Sequence, residues 1–548
     1  MARSPLMHMV LQIVRRIEID GGARTPSAPR SREALSRRDL LLGGTVLAAA
    51  AVGCASRASP QAPPAVPPPL PAASSPPQPS QPPAPATAGV VVVGGGIAGL
   101  VCAYRLKQAS IPVRLFESQT RVGGRMWSSG EQFPGRVVEL GGEFIDVGHK
   151  ALRALVEEFH LELEDLRKDE RGLRPAYFFG GKVRSEPELV AAMRPAVVKM
   201  KRDIEKIGDA PVPYEATGAF RALDAWSIDQ WLRENRVTGW IGDLLRVAFT
   251  AELGLDPDDL SCIPMLQVVA IQGNKVQLYG DSDEGARIRG GTDQLPTRIA
   301  AQLGAAVEYE TSLEAISKLP DGHVRLALKR GATSFDVKAE RVVLALPFST
   351  LRKVTIDESL RFSDRKMRSI QNLGYGTNAK LLIGYKSRAW RNSGFTGEIF
   401  TDRPFQSTWD ETRAQSGAPG VLTVYTGGTA GVRLGDGDLD ARGQSIVGQI
   451  EWVIPHTKAE AEGIFHRFPW PSFAPSLGSY STWRVGQMTA FGGIEAAVEG
   501  GNVHFAGEHT SLAEQGFMDG AVESGERAAR EVAGAMGIAL PGQKAQAA

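Results

Sequence analysis

Val90-Val91-Val92-Val93-Gly94-Gly95-Gly96-Ile97-Ala98-Gly99-Leu100 is the stretch around which the rest of the chain is organised. Four consecutive valines predict a strand buried on both faces. Gly94-x-Gly96-x-x-Gly99 predicts a tight turn, and the apolar spacing after Gly99 is helical. Strand, glycine turn and helix in this order make a dinucleotide fingerprint: the glycines allow the turn, let backbone approach a pyrophosphate and let the helix pack on the strand. The helix N-terminus then faces the phosphates. Val113-Arg114-Leu115-Phe116-Glu117 predicts a second strand, ending in an acid 18 residues after Gly99 where a ribose hydroxyl would bind. Gly94, Gly96, Ala98, Gly99, Glu117 and Ser118 are therefore candidate cofactor contacts. A glycine-rich turn in another α/β fold is the alternative; the flanking strand, helix and acid argue against it.

A chain of 548 residues predicts two or more domains, and 43% hydrophobic residues suffice for large cores. Lys+Arg number 62 against 61 Asp+Glu, so no basic footprint for nucleic acid exists. The cysteines, Cys54, Cys102 and Cys262, form no C-x-x-C pair, and no histidine pair stands in H-E-x-x-H. Neither a disulfide framework nor a metal site is expected.

The N-terminus reads as an address. Ser36-Arg37-Arg38-Asp39-Leu40-Leu41 is a twin-arginine signal, and Leu40 to Val52 is too short an apolar run to span a bilayer as a mature helix. It ends in Val52-Gly53-Cys54-Ala55, which resembles a lipobox with Cys54 as the lipidated residue; ordinary cleavage nearby and an uncleaved anchor are the alternatives. Export by the twin-arginine route to the periplasm or cell envelope is the expectation, with the export machinery and a lipid surface as partners. Ser56 to Ala88 holds thirteen prolines and cannot bury a core. It predicts an extended tether of roughly 100 Å at about 3.1 Å per residue.

Further motifs follow. Arg121-Val122-Gly123-Gly124-Arg125 offers backbone to close on a cofactor and a guanidinium for a pyrophosphate. Val137 to Asp146 reads as a strand broken by Gly141-Gly142. Fingerprint, Glu117, Gly-Gly-Arg and Glu139-Leu140-Gly141-Gly142-Glu143-Phe144-Ile145, in that order, resemble the flavin-containing amine oxidases, a family that includes monoamine, polyamine and L-amino-acid oxidases. The likeness runs from residue 89 to about 535, through Gly291-Thr292-Asp293-Gln294-Leu295-Pro296, Gly507-Glu508 and Gly516-Phe517-Met518-Asp519-Gly520-Ala521. It implies an α/β, two-domain flavoprotein: a Rossmann-like FAD domain of the p-hydroxybenzoate-hydroxylase type and an α+β substrate domain. The expected division is a signal over 1–54, a linker over 55–88, the FAD domain in pieces 89–150, 281–350 and 496–535, the substrate domain in pieces 151–280 and 351–495, and a tail over 536–548. Residues 151 to about 275 read mostly helical, Val307 to Ile316 as one strand, and Arg341 to Arg352 as a buried strand closing the domain edge.

By the same resemblance, Gly124, Arg125, Gly141, Gly142, Glu143, Phe144, Trp470, Gly516, Met518 and Ala521 would line FAD, and the backbone of Leu313 would meet the adenine. Gly507 and Glu508 would meet the ribityl chain. The helix opening at Phe517-Met518 could offer amides to the flavin O2, where negative charge grows on reduction. Lys380, at the start of an apolar strand, matches the lysine that holds a water at N5; a snorkelling side chain is the ordinary reading of such a residue. Tyr480 and Phe517 match the two cage aromatics that guide an amine without charging it. Monoamine oxidases carry a flavin-linking cysteine nine residues after the Trp; here that residue is Ser479, so FAD is expected to be non-covalent.

The implied reaction is oxidation of a primary or secondary amine by hydride transfer to flavin. It gives an imine, then aldehyde plus ammonia or amine, and hydrogen peroxide from dioxygen. An L-amino-acid oxidase giving a 2-oxo acid is the alternative. The Arg and Tyr that clamp a carboxylate in snake-type enzymes fall at Phe144 and Pro475, and a buried carboxylate without a cation is costly. Carotenoid desaturases and protoporphyrinogen oxidase share the N-terminal motifs, but Tyr480 and Phe517 argue against them. A flavoprotein without enzymatic activity is a further alternative.

Overall fold

The computed structural model describes residues 87–207, 213–272, 275–278 and 282–541. The twin-arginine run, Cys54 and nearly all of the Pro-rich segment lie outside the described residues.

The valine run forms the strand Thr87–Val93, with Val90, Val91 and Val92 fully buried. It pairs in parallel with Val113–Phe116 on one side and with the second half of Thr333–Leu344 on the other. Val307–Glu308 extends this layer beyond Val113–Phe116, and Val503–Phe505 extends it beyond Thr333–Leu344. The first half of Thr333–Leu344 instead pairs antiparallel with Val324–Arg330, which pairs with Thr311–Lys318. One twelve-residue strand thus carries a parallel layer on one half and an antiparallel meander on the other.

Two expectations change here. The strand expected from Arg341 to Arg352 ends at Leu344, with helix Phe348–Leu351 beyond it, and does not close an edge: Val342–Leu344 is paired on both sides, which is why its three residues are fully buried. Val307 to Ile316 is two strands, because Glu310 takes a φ of 53° and turns the chain from the parallel layer into the meander.

Helices Ile97–Gln108 and Met518–Ala535 pack on the parallel layer in one core. Glycines set their approach. Gly94 has a φ of 109°, and a Cβ there would lie 2.6 Å from the Ala345 carbonyl oxygen. A Cβ on Gly99 would lie 2.0 Å from the Gly94 carbonyl oxygen.

A second, seven-stranded sheet has the order Ala461–Pro469, Ala379–Tyr385, Gly420–Thr426, Ser407–Asp410, Phe395–Thr401, Arg174–Phe179, Lys182–Arg184. The last two strands come from the stretch expected to be mostly helical; their aromatic run pairs in parallel with Phe395–Thr401. The remainder of that stretch is helical as expected, with Glu186–Ile204, Ile228–Glu234 and Gly239–Leu253 packed around Trp231 and Phe249. Among the described residues no helix is long and apolar enough to cross a membrane.

Candidate active site

A cavity of about 870 Å³ runs from the end of the valine strand to the second sheet. At one end stands the glycine turn. Helix Ile97–Gln108 begins at Gly96 with no side-chain cap, so its first amides are free for an anion. A Cβ on Gly96 would meet nothing within 4 Å, and Gly96 bridges to Gly123 across the cavity wall. Glu117 sits beside them, accepting hydrogen bonds from the Gly95 amide at 2.7 Å, the Gln119 amide at 2.8 Å and Ser118 Oγ at 3.2 Å. Burial raises its pKa against those hydrogen bonds.

Gly94, Gly96, Ala98, Glu117, Ser118, Gly124, Arg125, Gly141, Gly142, Glu143, Phe144, Trp470, Gly507, Glu508, Gly516, Phe517, Met518 and Ala521 all line the cavity, as do Lys380 and Tyr480. Gly99 and Leu313 do not. Gly99 is the contact between helix and strand. Leu313 pairs with Leu328 in the meander, its side chain in the core behind the sheet.

Arg125, expected at a pyrophosphate, turns to Glu508: Nη1 donates to Glu508 Oε1 at 2.8 Å and to the Ser479 carbonyl at 2.9 Å. Glu508 also accepts from Ser481 Oγ at 2.6 Å and the Gly516 amide at 2.9 Å. Burial alone would raise its pKa, but Arg125 and these donors hold it below its ordinary value. The pair ties the Gly123–Arg125 loop to both C-terminal motifs. Helix Met518–Ala535 opens against the cavity without a side-chain cap.

The strand carrying Gly141-Gly142 is held from several sides. A Cβ on Gly141 would lie 1.8 Å from the Arg125 carbonyl oxygen. Trp470 Nε1 donates to the Leu140 carbonyl at 2.9 Å. Lys380 Nζ donates to the Glu139 carbonyl at 2.8 Å and the Gly141 carbonyl at 3.1 Å, and lies 3.7 Å from Glu143 Oε2. Lys380 is 3% exposed, so it is not a snorkelling residue. Behind the strand, the Glu139 carboxylate accepts from the Thr292 amide, Thr292 Oγ1 and Ser128 Oγ. Burial pushes its pKa up to about 7.

The far wall comes from the second sheet by alternation. Lys380 pairs with Tyr425, Tyr425 with Ser407, and Ser407 with Phe400. Directly opposed residues share a face, as do residues two apart on one strand. Lys380, Tyr425, Ser407, Trp409, Phe400 and Glu398 therefore share one face, and all line the cavity. Trp409 was not singled out from the sequence. Its ring is 5.6 Å from Phe144 and 5.3 Å from Tyr425, and Nε1 donates to Glu143 Oε2 at 3.0 Å. Arg413 was also missed; its guanidinium is 4.8 Å from the Phe144 ring centre and pairs with Glu170 at 2.8 Å. The sequence signal for this wall is a lone charged residue, Glu398, in the apolar run Phe395–Thr401.

Tyr480 spends its hydroxyl on helix Gly239–Leu253, donating to the Ala251 and Glu252 carbonyls at 3.1 and 2.5 Å. That fixes the ring at the cavity wall. A Cβ on Gly516 would lie 3.9 Å from Tyr480 Cδ2, so Tyr480 abuts the turn carrying Phe517. Ser479 Oγ donates to Asn378 Oδ1 at 2.6 Å. Both free cysteines, Cys102 and Cys262, are buried away from the cavity. Among the described residues no cluster of His, Cys, Asp and Glu could hold a metal ion.

A family model described as flavin containing amine oxidoreductase matches residues 97–533. An L-amino acid dehydrogenase of Synechocystis is 26% identical over 467 residues, covering 81% of this chain and 94% of that protein. A flavin-containing amine oxidase of Danio rerio is 25% identical over 467 residues, covering 82% and 86%. Putrescine oxidase bound to putrescine superimposes with a TM-score of 0.70 at 21% identity, covering 82% of this chain and 99% of that one.

Proposed function

The chain belongs to the flavin-containing amine oxidoreductases, and from that premise we propose that it is an FAD-dependent oxidase of primary or secondary amines that holds its FAD without a covalent bond. Acting on an amine through a flavin follows from the family; FAD itself, its mode of attachment and the residue roles are our reading. When bound, the flavin accepts two electrons from the amine's α C–H bond and passes them to dioxygen, giving an imine and hydrogen peroxide.

The residues supply the rest. Glu117 accepts from a ribose hydroxyl, and the free amides opening at Ile97 meet the pyrophosphate. The observation that carries the reading is the wall opposite Gly141-Gly142: Lys380 anchored on that strand's carbonyls, with Tyr480 and Phe517 presenting uncharged rings. Such rings guide a neutral amine without offering it a proton. Trp409 and Phe144 complete an apolar enclosure that excludes water from the reacting carbon.

Ser479 supports non-covalent attachment, since a hydroxyl makes no thioether and no cysteine among the described residues lines the cavity. Acid precipitation of the holoenzyme tests this: all of the yellow colour is expected in the supernatant, and a yellow pellet would refute it. A peroxide assay over alkylamines and L-amino acids tests the substrate class. Turnover of amines is expected; turnover of carboxylate-bearing substrates alone would instead support the amino-acid reading. One feature favours that second reading: Arg413 brings a cation to Phe144. Its pairing with Glu170 and the surrounding acids favour an amine.

Export by the twin-arginine route and lipidation at Cys54 remain part of the proposal. Mass spectrometry of the mature N-terminus in its native envelope tests both.

A further inference from the structure

The cavity is lined by more carboxylates than cations. Glu143 lies against Lys380, Glu170 pairs with Arg413, Asp283 with Arg167, and Asp146 lies 3.6 Å from His149. Glu252, Glu284 and Glu398 are left over. All three line the cavity, and among the described residues none of their carboxylates accepts a hydrogen bond or sits in an ion pair. By accessible surface Glu252 and Glu398 are half-buried and Glu284 is exposed, yet neighbouring atoms crowd all three closely enough that burial dominates their ionisation. Unpaired carboxylates in such a setting are costly unless a cation reaches them.

The three come from separate elements that have no structural need of a charge. Glu398 stands alone in the apolar strand Phe395–Thr401. Glu252 is in the last turn of helix Gly239–Leu253, where the exposed carbonyls already carry partial negative charge and an anion is disfavoured. Glu284 lies in the segment joining the helical insert to Ala286–Ile288, held by its amide donating to Asp146 Oδ1 at 2.7 Å. Glu143, 4% exposed, lines the same cavity and makes no hydrogen bond through Oε1, which faces Arg287 Nη1 at 4.0 Å.

We propose that Glu252, Glu284 and Glu398 form a subsite for a second positive charge, so that the substrate is an aliphatic diamine or polyamine whose distal ammonium sits among them while the reacting amine lies between Tyr480 and Phe517. The substrate class rests on the amine-oxidation reading above; the cation subsite stands on its own geometry. The adjacency is built in, since Tyr480 Oη donates to the backbone of Glu252 itself. Burial and repulsion from Glu398 and Glu252 push the pKa of Glu284 up to about 8, and burial pushes those of Glu252 and Glu398 up to about 7, in each case but Glu252 against the attraction of the Arg413 guanidinium. A cation is what would favour their charged forms.

Two measurements on the holoenzyme test this. Peroxide production compares kcat/KM for alkylamines and α,ω-diaminoalkanes of equal length, in the wild type and in Glu284→Gln and Glu398→Gln. Calorimetry compares binding of an alkylguanidine with that of the alkane diguanidine of the same length, neither of which offers an amine to oxidise. The wild type is expected to prefer the dication at least about tenfold in both, and each variant to lose about tenfold of that preference. An intact flavin spectrum shows that a variant is folded. Equal handling of mono- and dications by the wild type, or a preference unmoved in both variants, overturns the proposal. If no amine is oxidised but the diguanidine preference holds and falls in the variants, the oxidation reading fails and the cation subsite stands.

Discussion

At the scale of single residues, Lys380 and Glu284 make contrasting predictions. Lys380 compensates the buried Glu143 charge and ties down the carbonyls of Glu139 and Gly141. Lys380→Met should cost about 3 kcal/mol in denaturant unfolding, because it strands a buried carboxylate. Adding Glu143→Gln should restore part of that loss, whereas two additive losses would mean that the residues do not act as a pair. In stopped-flow, Lys380→Met should slow reoxidation by dioxygen far more than reduction by substrate, on the order of 100-fold against less than tenfold. Equal slowing would show that the lysine only holds the strand. Glu284 behaves in the opposite sense. Its folded pKa, about 8, is raised above its unfolded value. The folded state therefore binds more protons across that interval, and stability falls as pH rises from about 4.5 through 8. Substrate-free wild type should lose thermal stability over that window. Glu284→Gln should flatten the loss and raise Tm at pH 8 by about a degree, as a scan of Tm against pH would read.

At the scale of elements, the glycine turn is both the proposed cofactor cradle and the link between strand and helix. Gly99→Ala drives a methyl into the Gly94 carbonyl. It should cost about 3 kcal/mol as overpacking and lower flavin occupancy, read as the ratio of absorbance at about 450 nm to that at 280 nm. Gly96→Ala meets no protein atom, so its cost should appear in flavin retention and hardly in apoprotein stability. Equal apoprotein losses for the two would refute the division between packing glycine and cradle glycine. The uncapped start of Met518–Ala535 follows the same logic, its amides facing the cavity rather than a capping side chain.

At the scale of the whole molecule, the proposed catalytic wall belongs to two sheets at once. Gly141 and Gly142 arrive with the cofactor sheet's chain segments, Lys380, Trp409 and Tyr425 with the second sheet, and Tyr480 is fastened to the helical insert. The hydrogen bond from Arg125 to the Ser479 carbonyl and the lysine anchor cross between these parts, so removing either should loosen flavin and substrate together. Both sheets and the cavity lie within residues 87–541. A chain beginning at Pro83 should retain full flavin occupancy and kcat/KM within about twofold, checked by absorbance and peroxide production. Loss of either would give the preceding segment a role beyond targeting.

The sequence by itself determined the local rules. Valines repeated without interruption can only be a strand buried on both faces, and the glycines at 94, 96 and 99 dictate its turn into a helix. Glu117, Gly124, Gly141-Gly142 and the Gly507 and Gly516 turns were legible as cavity-lining positions, from the fingerprint and from resemblance of contiguous motifs, whereas the partner of Arg125 was not. Only the tertiary structure decided what contiguity cannot encode. That Thr333–Leu344 is one strand shared by two pairing schemes depends on parallel partners more than a hundred residues away as well as on its neighbouring hairpin strand. That Leu313 lies behind the sheet follows from the turn at Glu310, which the alternation on either side conceals. Trp409, Tyr425, Arg413 and the three unpaired glutamates became a site through cross-strand register and packing. A charged residue in an apolar strand is only an oddity until the fold shows that the space before it is a cavity.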